Sequence, residues 1–181
     1  MKRNVPAVCI ALCLVVLAAY QTLLNPGLEA EASSAAAPFR EMKYNQPVPS
    51  FTLQGLDGKT YRVGGQRDKP LMINFWASWC GPCKEEAPDL AKVYEKYKDK
   101  FDLYAVNVTR EDRMADVQSF VKRNGFTFPV LLDKEGATAE LYRILFVPTS
   151  FLIDKQGVLR EVIHVLPPEQ LEQRIQSLIQ G

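Results

Sequence analysis

Histidine is nearly absent from this chain, with His164 its single example, and cysteine is scarce, at four residues in 181. Those two shortages exclude a good deal. A structural zinc site needs four Cys or His ligands, and a disulfide-stapled domain needs more cysteines along a shorter chain. Cys9 and Cys13 lie in an apolar leading run, where cysteine behaves as a small hydrophobe. That leaves Cys80 and Cys83 as the one pair in the remainder. An excess of positive charge is also missing: without Lys2 and Arg3 the 22 basic residues fall to 20, against 21 acidic ones. Nucleic-acid binding draws most of its affinity from clustered Lys and Arg, so no DNA or RNA partner is expected. Disorder is not expected either. Hydrophobic residues make up 47% and charged residues 24% of the chain, as in folded domains, and its length holds one domain plus a short appendage.

What is present begins with Val5 to Leu24, a run of 20 residues without charge, preceded by Lys2 and Arg3. At about 1.5 Å per residue it reaches about 30 Å, enough to cross the hydrocarbon layer. Positive charge on the short leading side keeps that end in the cytoplasm and exports the rest. Residues 1–24 are therefore expected to be a single-pass signal-anchor in the cell membrane, with the soluble domain on the extracytoplasmic side. A cleaved signal peptide is the competing reading, because small residues between Ala30 and Ala37 offer a cleavage site; the run, however, exceeds the usual apolar core of about 7–15 residues. Cys13 follows Leu12 rather than a small residue, so no lipoprotein site is evident. Residues 25–45 mix Pro, Gly, Ala, Ser and charges without periodicity and read as a tether. The folded domain is expected over 46–181.

Within it, Ser50 to Leu53 and Thr60 to Val63 flank Gly55, Asp57 and Gly58, which predicts an opening hairpin. Leu71 to Trp76 is a nearly unbroken apolar run, as in a strand covered on both faces. Leu90, Val93, Tyr94 and Tyr97 recur at helical spacing, with Pro88 expected to kink that helix near its start. Phe101 to Val108 reads as a strand, Thr109 with Asp112 as a helix start, and Met114, Val117, Phe120 and Val121 as that helix's stripe, stopped by Asn124 and Gly125. Pro129 to Leu132 predicts a strand and Ala137 to Arg143 a short helix. Thr149 to Ile153 and Val158 to Val165 form a closing hairpin about Lys155, Gln156 and Gly157. Pro168 opens a last helix with Leu171, Ile175, Leu178 and Ile179 inward. Strands alternating with helices give an α/β layered domain, parallel in its middle.

The chemistry concentrates in residues 76–86, Trp-Ala-Ser-Trp-Cys-Gly-Pro-Cys-Lys-Glu-Glu. Thiol-disulfide exchange needs an accessible thiolate to attack a substrate disulfide and a second thiol to release the mixed intermediate. A Cys-x-x-Cys turn opening a helix supplies both. Cys80, the nucleophile, would sit where the positive end of the helix dipole favours a thiolate, and Cys83, one turn along, would be the resolving thiol. Gly81 permits the tight approach, and Pro82 suits a first helical position, where its missing N–H costs nothing. Two cysteines at this spacing also occur as half a zinc site or as buried small residues, but no further ligands are at hand. Glu86, three residues after Cys83, shares its helical face, while Glu85 points elsewhere.

The run Trp79 to Cys83 matches the active-site motif of the thioredoxin superfamily, and Val147-Pro148-Thr149 followed by Ser-Phe-Leu-Ile-Asp resembles that fold's cis-proline loop and next strand. The resemblance spans about Val48 to Gln180. It is nearest to the membrane-anchored ResA/TlpA/CcmG branch, whose members reduce disulfides outside the cytoplasm. The stretch from Cys83 to Pro148 has room for two strand-helix units of about 30 residues, and the extra one, Gly125 to Arg143, resembles the central insertion of that branch. The resemblance thus implies a thioredoxin-like fold with an N-terminal hairpin and this insertion, and a Cys80–Cys83 disulfide in the oxidised form. A proline after valine is trans in most proteins; the resemblance implies a cis bond at Pro148, with Val147 backbone pairing to substrate. Trp79, Gly81 and Pro82 join the substrate surface, and Trp76 shares in it while packing. In ResA-like proteins a glutamate at the place of Glu86 tunes the cysteine pair; a carboxylate there disfavours the thiolate and accepts its proton.

The implied activity is a protein disulfide reductase without cofactor or metal, acting as a monomer. Its expected client is apocytochrome c during c-type cytochrome maturation, and its electron donor a membrane thiol carrier resembling CcdA. A sporulation-type client or general disulfide repair is an alternative. A further one is a Sco-like copper-delivery protein with His164 as third ligand, although Sco proteins use Cys-x-x-x-Cys. A related thiol peroxidase would need Pro-x-x-x-Thr-x-x-Cys, which the sequence lacks. His164 shares strand parity with Arg160 and Val162, which predicts a half-exposed strand position. His164-Val165-Leu166 stands where the branch would have a glycine after the last hairpin.

Overall fold

The computed structural model describes residues 42–181. The expected membrane helix and the tether as far as Glu41 lie outside the described residues; among those described, no helix is long and apolar enough to cross a membrane. Asn45, assigned to the end of the tether, is already packed on the domain: its N donates to Leu159 O at 2.9 Å and its Oδ1 accepts from Arg160 Nη1 at 2.9 Å.

Strands β1 (Phe51–Gln54) and β2 (Thr60–Val63) pair antiparallel, with Phe51 opposite Val63. β3 (Leu71–Trp76) is buried throughout and leads into helix α1 (Gly81–Tyr97), which continues through Pro88. β4 (Asp102–Asn107) is followed by a single 3-10 turn (Thr109–Glu111) and α2 (Met114–Arg123). Then come β5 (Val130–Leu132), α3 (Ala137–Leu141), β6 (Thr149–Ile153), β7 (Leu159–Ile163) and α4 (Pro168–Gln180). The main sheet has the order β5-β4-β3-β6-β7. β3, β4 and β5 are parallel, whereas β6 runs antiparallel to β3 and β7 antiparallel to β6. This mixed thioredoxin-like sheet puts the end of β3 beside the start of β6, with Phe75 opposite Thr149.

Alternation along β3 divides the core into two aromatic layers. Phe75 meets Tyr142 and Phe151 at centroid distances of 5.4 and 5.8 Å, and Tyr142 in turn meets Phe51 of the hairpin. Trp76, on the other face, stacks on Phe120 of α2 at 4.5 Å and edges against Phe126. Trp76 is only 2% exposed. The expectation that it shares in the substrate surface is therefore corrected: a side chain enclosed by Phe120 and Phe126 has no face left for a partner. On the same face α1 and α4 pack together, where Tyr97 Oη donates to Glu172 Oε1 at 2.7 Å.

One helix start also differs from expectation. Thr109 does not cap α2; its hydroxyl donates to Asn107 O, and the cap position is held by Arg113 without a side-chain bond. Asp112 is turned instead towards the cysteine loop. At the closing hairpin, the Asp154 carboxylate accepts from Gln156 N and Val158 N at 2.9 Å each, while Gly157 adopts φ of +78° with Gly65 O so close that a Cβ would lie 2.5 Å from it. Both features pin the turn.

Candidate active site

The centre is built where β3 ends. Cys80 is the N-cap of α1 in extended conformation, and Gly81 and Pro82 are its first two helical residues, so Pro82 holds the second position rather than the first. Sulfur takes the place usually filled by a Ser or Asp oxygen: Cys80 Sγ accepts a hydrogen bond from Cys83 N at 3.1 Å. Cys80 and Cys83 form a disulfide, with Cα atoms 5.3 Å apart. The first turn of α1 contains no acidic residue to oppose the positive end of the dipole at Cys80.

The peptide bond Val147–Pro148 is cis, and Val147 O lies 3.5 Å from Cys80 Sγ. Pro148 itself is buried and Val147 half-buried, whereas Gly81 and Pro82 are exposed. Trp79, also exposed, is held in place by its indole, which donates to Glu111 O at 2.8 Å. Below it, Asp112 collects the loop: its carboxylate accepts from Ser78 N and Ser78 Oγ at 2.6 Å each and from Asn107 Nδ2 at 2.9 Å. The two residues preceding Cys80 are thus bonded to the segment following β4.

Glu86 lies on the buried face of α1 with Cys83, Ala87, Leu90 and Val93, while Glu85 is exposed. It is 8% exposed and receives a hydrogen bond from Asn74 Nδ2 at 2.8 Å. Burial pushes its carboxyl up to about 7, against the Asn74 amide, which stabilises the charged form. A carboxyl poised near neutrality can hold or release a proton with little driving force either way. No other charged side chain contributes to that shift.

His164 stands just past β7, exposed rather than half-exposed. Its ring lies against Phe146 at 4.7 Å, and Nδ1 is 3.3 Å from Pro148 O. Among the described residues, no group of three or more His, Cys, Asp and Glu side chains is gathered as a metal site. Five large apolar side chains are well exposed among these residues, and four of them, Trp79, Leu145, Phe146 and Val165, belong to or adjoin the cysteine and cis-proline loops.

Leu145, Phe146 and Asn74 were not singled out by sequence, Asp112 was read only as part of a helix start, and Ser150 only as part of the strand after the proline loop. Asn74 had a visible signal, as the one polar residue inside an apolar strand. Leu145 and Phe146 had a weaker one, an apolar pair beside the proline motif. The contact of Asp112 with the cysteine loop had none, since its partner Ser78 is remote in the chain.

The chain is similar to known proteins over most of its length. Residues 44–162 match the model of the AhpC/TSA family. The chain is 32% identical over 170 residues to thiol-disulfide oxidoreductase ResA of Geobacillus kaustophilus (strain HTA426), covering 93% of this chain and 92% of that protein. StoA from Bacillus subtilis superimposes with a TM-score of 0.62 at 30% identity, over 71% of this chain and 97% of that one. The pneumococcal exposed lipoprotein thioredoxin from Streptococcus pneumoniae strain TIGR4 gives 0.61 at 31% identity, over 72% and 100%.

Proposed function

This chain belongs to the AhpC/TSA family and is a thiol-disulfide oxidoreductase of the ResA and StoA type, and we propose that it reduces protein disulfides outside the cytoplasm from a membrane anchor. The observation that carries the reading is the Cys80–Cys83 disulfide at the start of α1, with Val147 O 3.5 Å from Cys80 Sγ. In the reduced protein the Cys80 thiolate attacks a client disulfide, forming a mixed disulfide and releasing one client sulfur as thiolate. Glu86 accepts the proton of Cys83. The Cys83 sulfur then attacks Cys80, closing the Cys80–Cys83 bond and expelling the second client sulfur, which takes up a proton. Two electrons pass to the client, and the protein is left oxidised. Exposed Trp79, Leu145 and Phe146 offer an apolar face to an unfolded client chain beside Val147.

The client proposed is apocytochrome c, whose Cys-x-x-Cys-His must be reduced before haem attaches, and the electron donor is a membrane thiol carrier resembling CcdA. The charge-free run Val5 to Leu24 behind Lys2 and Arg3 supports the exported location, as does the likeness to a pneumococcal exposed lipoprotein thioredoxin. Haem staining of c-type cytochromes in a strain lacking the protein tests the client. Loss of the stained bands, restored by the intact chain but not by Cys80→Ser, is expected; a full set of bands without the protein overturns the client. Protease added to spheroplasts is expected to digest the domain, and its protection would overturn the location.

A further inference from the structure

Asn74 is out of place by every local rule. It occupies the middle of the central strand, where β-propensity disfavours asparagine, and it is 2% exposed among Leu71, Met72, Ile73, Phe75 and Trp76. A buried amide is costly unless its hydrogens are bonded. Both are: Nδ2 donates to Glu86 Oε1 at 2.8 Å and to Ser150 Oγ at 2.9 Å. Ser150, itself buried, is the residue directly opposite Asn74 in the β3–β6 register. Three polar groups from β3, α1 and β6 therefore meet inside an apolar layer. A buried polar cluster of this kind is no better for stability than apolar side chains of similar volume, so its presence calls for another reason.

We propose that Asn74, oriented by Ser150, is a positioning residue that aims the Glu86 carboxyl and stabilises its ionised form, so that Glu86 can receive the proton given up by Cys83. The inference rests on the acceptor role of Glu86 given above. An asparagine can present either its NH2 or its oxygen to a neighbour, and an ionised carboxylate tolerates only the NH2. Ser150 Oγ accepts the second hydrogen of that NH2, so both amide hydrogens are bonded in the orientation that serves the carboxylate. Glu86 is bonded by Asn74 from β3, which is bonded in turn to Ser150 from β6, and it shares the buried face of α1 with Cys83 one turn earlier. The cysteine pair is the only titratable partner among them, and no lysine or arginine contributes to the Glu86 shift. The amide is thus the one interaction that favours the charge against burial.

The test is titration of the Glu86 carboxyl carbon by NMR in the reduced full chain, with Glu86→Gln identifying the signal, alongside the pH profile of insulin-disulfide reduction. Asn74→Leu, close in volume but without the donor, is expected to move the Glu86 midpoint and the matching limb of the profile up by about one to two pH units. Ser150→Ala is expected to move both in the same direction by less, and Ser150→Thr, which keeps the hydroxyl, to restore them. If Asn74→Leu does not fold, the serine pair carries the test alone. Midpoints within about 0.3 pH unit of the parent in Asn74→Leu, or in Ser150→Ala when it alone is available, overturn the role of Asn74. A Glu86→Gln chain with an unchanged rate profile overturns the acceptor role of Glu86, and the inference with it, and the two failures are read from different variants.

Discussion

The two sides of the α1 start are built from opposite materials. In front of the disulfide, Trp79, Leu145 and Phe146 expose apolar surface, 54%, 90% and 57% of it respectively, where polar side chains would be usual. Behind it, Asn74, Glu86 and Ser150 bury polar groups where apolar ones would be usual. Each side breaks the pattern that stabilises a soluble domain, and each does so where exchange needs it. A client chain is met by non-directional contact that tolerates many sequences. A proton must be held at one atom, which requires directed bonds in a dry place. Stability and function are therefore separable at these positions in a way they are not in the aromatic layers around Phe75 and Trp76.

The comparison breaks first at the sulfurs. Cys80→Ser is expected to bring insulin reduction down to the uncatalysed background, and Cys83→Ser to accumulate a mixed disulfide visible on non-reducing gels; normal turnover of Cys80→Ser would remove the assigned nucleophile. The rear side is next in size. Because the folded-state Glu86 carboxyl is raised to about 7 from its ordinary 4.5, the folded protein holds a proton that the unfolded chain has lost. Stability from this group is thus fully present below about pH 4.5 and is lost as pH rises through about 7, a decline on the order of 3 kcal/mol. Denaturant unfolding of the oxidised protein across that window measures it, and Glu86→Gln is expected to flatten the slope. An equal slope in the variant would place the proton elsewhere.

Between front and back stands the Asp112 latch. Asp112→Ala leaves Ser78 N without its acceptor and Asn107 Nδ2 with only Trp76 O at 3.4 Å, and a cost of about 1–3 kcal/mol is expected in the same unfolding measurement. No loss would mean that water replaces the carboxylate without penalty. The front side should show the smallest stability effect: Leu145→Ser and Phe146→Ser are expected to stay within about 0.5 kcal/mol of the parent. They should nevertheless raise KM for a protein disulfide while leaving reduction of a small soluble disulfide unchanged. Equal losses on both substrates would show that these side chains hold the cis-proline loop rather than meet the client.

Much of the fold was legible because its signals are local. The apolar run Leu71–Trp76 became β3 without a shift of boundary, and Pro168 opens α4 as its fixed φ allows. The helical stripe that begins with Leu90 and Val93 turns inward on α1. Thr109 and Asp112 were misread for the same reason that those were read well. A Thr-x-x-Asp run has the chemistry of a helix cap, and nothing near it in the chain reveals that Ser78, 34 positions away, competes for the carboxylate. Trp76 was misread because two tryptophans three apart look equivalent in a row of letters, although one enters the aromatic layer with Phe120 and the other stands in solvent.

From the residues alone came the reacting pair, the order of the elements and the helical face shared by Cys83 and Glu86, because spacing along one helix or strand fixes which side chains lie together. The folded structure decided what surrounds that pair. Which strand lies beside β3, in what register, and which amide enters the layer beneath α1 are set by contacts between residues far apart in the chain, here Asn74 with Ser150 at a separation of 76. No periodicity encodes such a meeting, since it depends on the packing of the whole sheet rather than on the path of any single element through it.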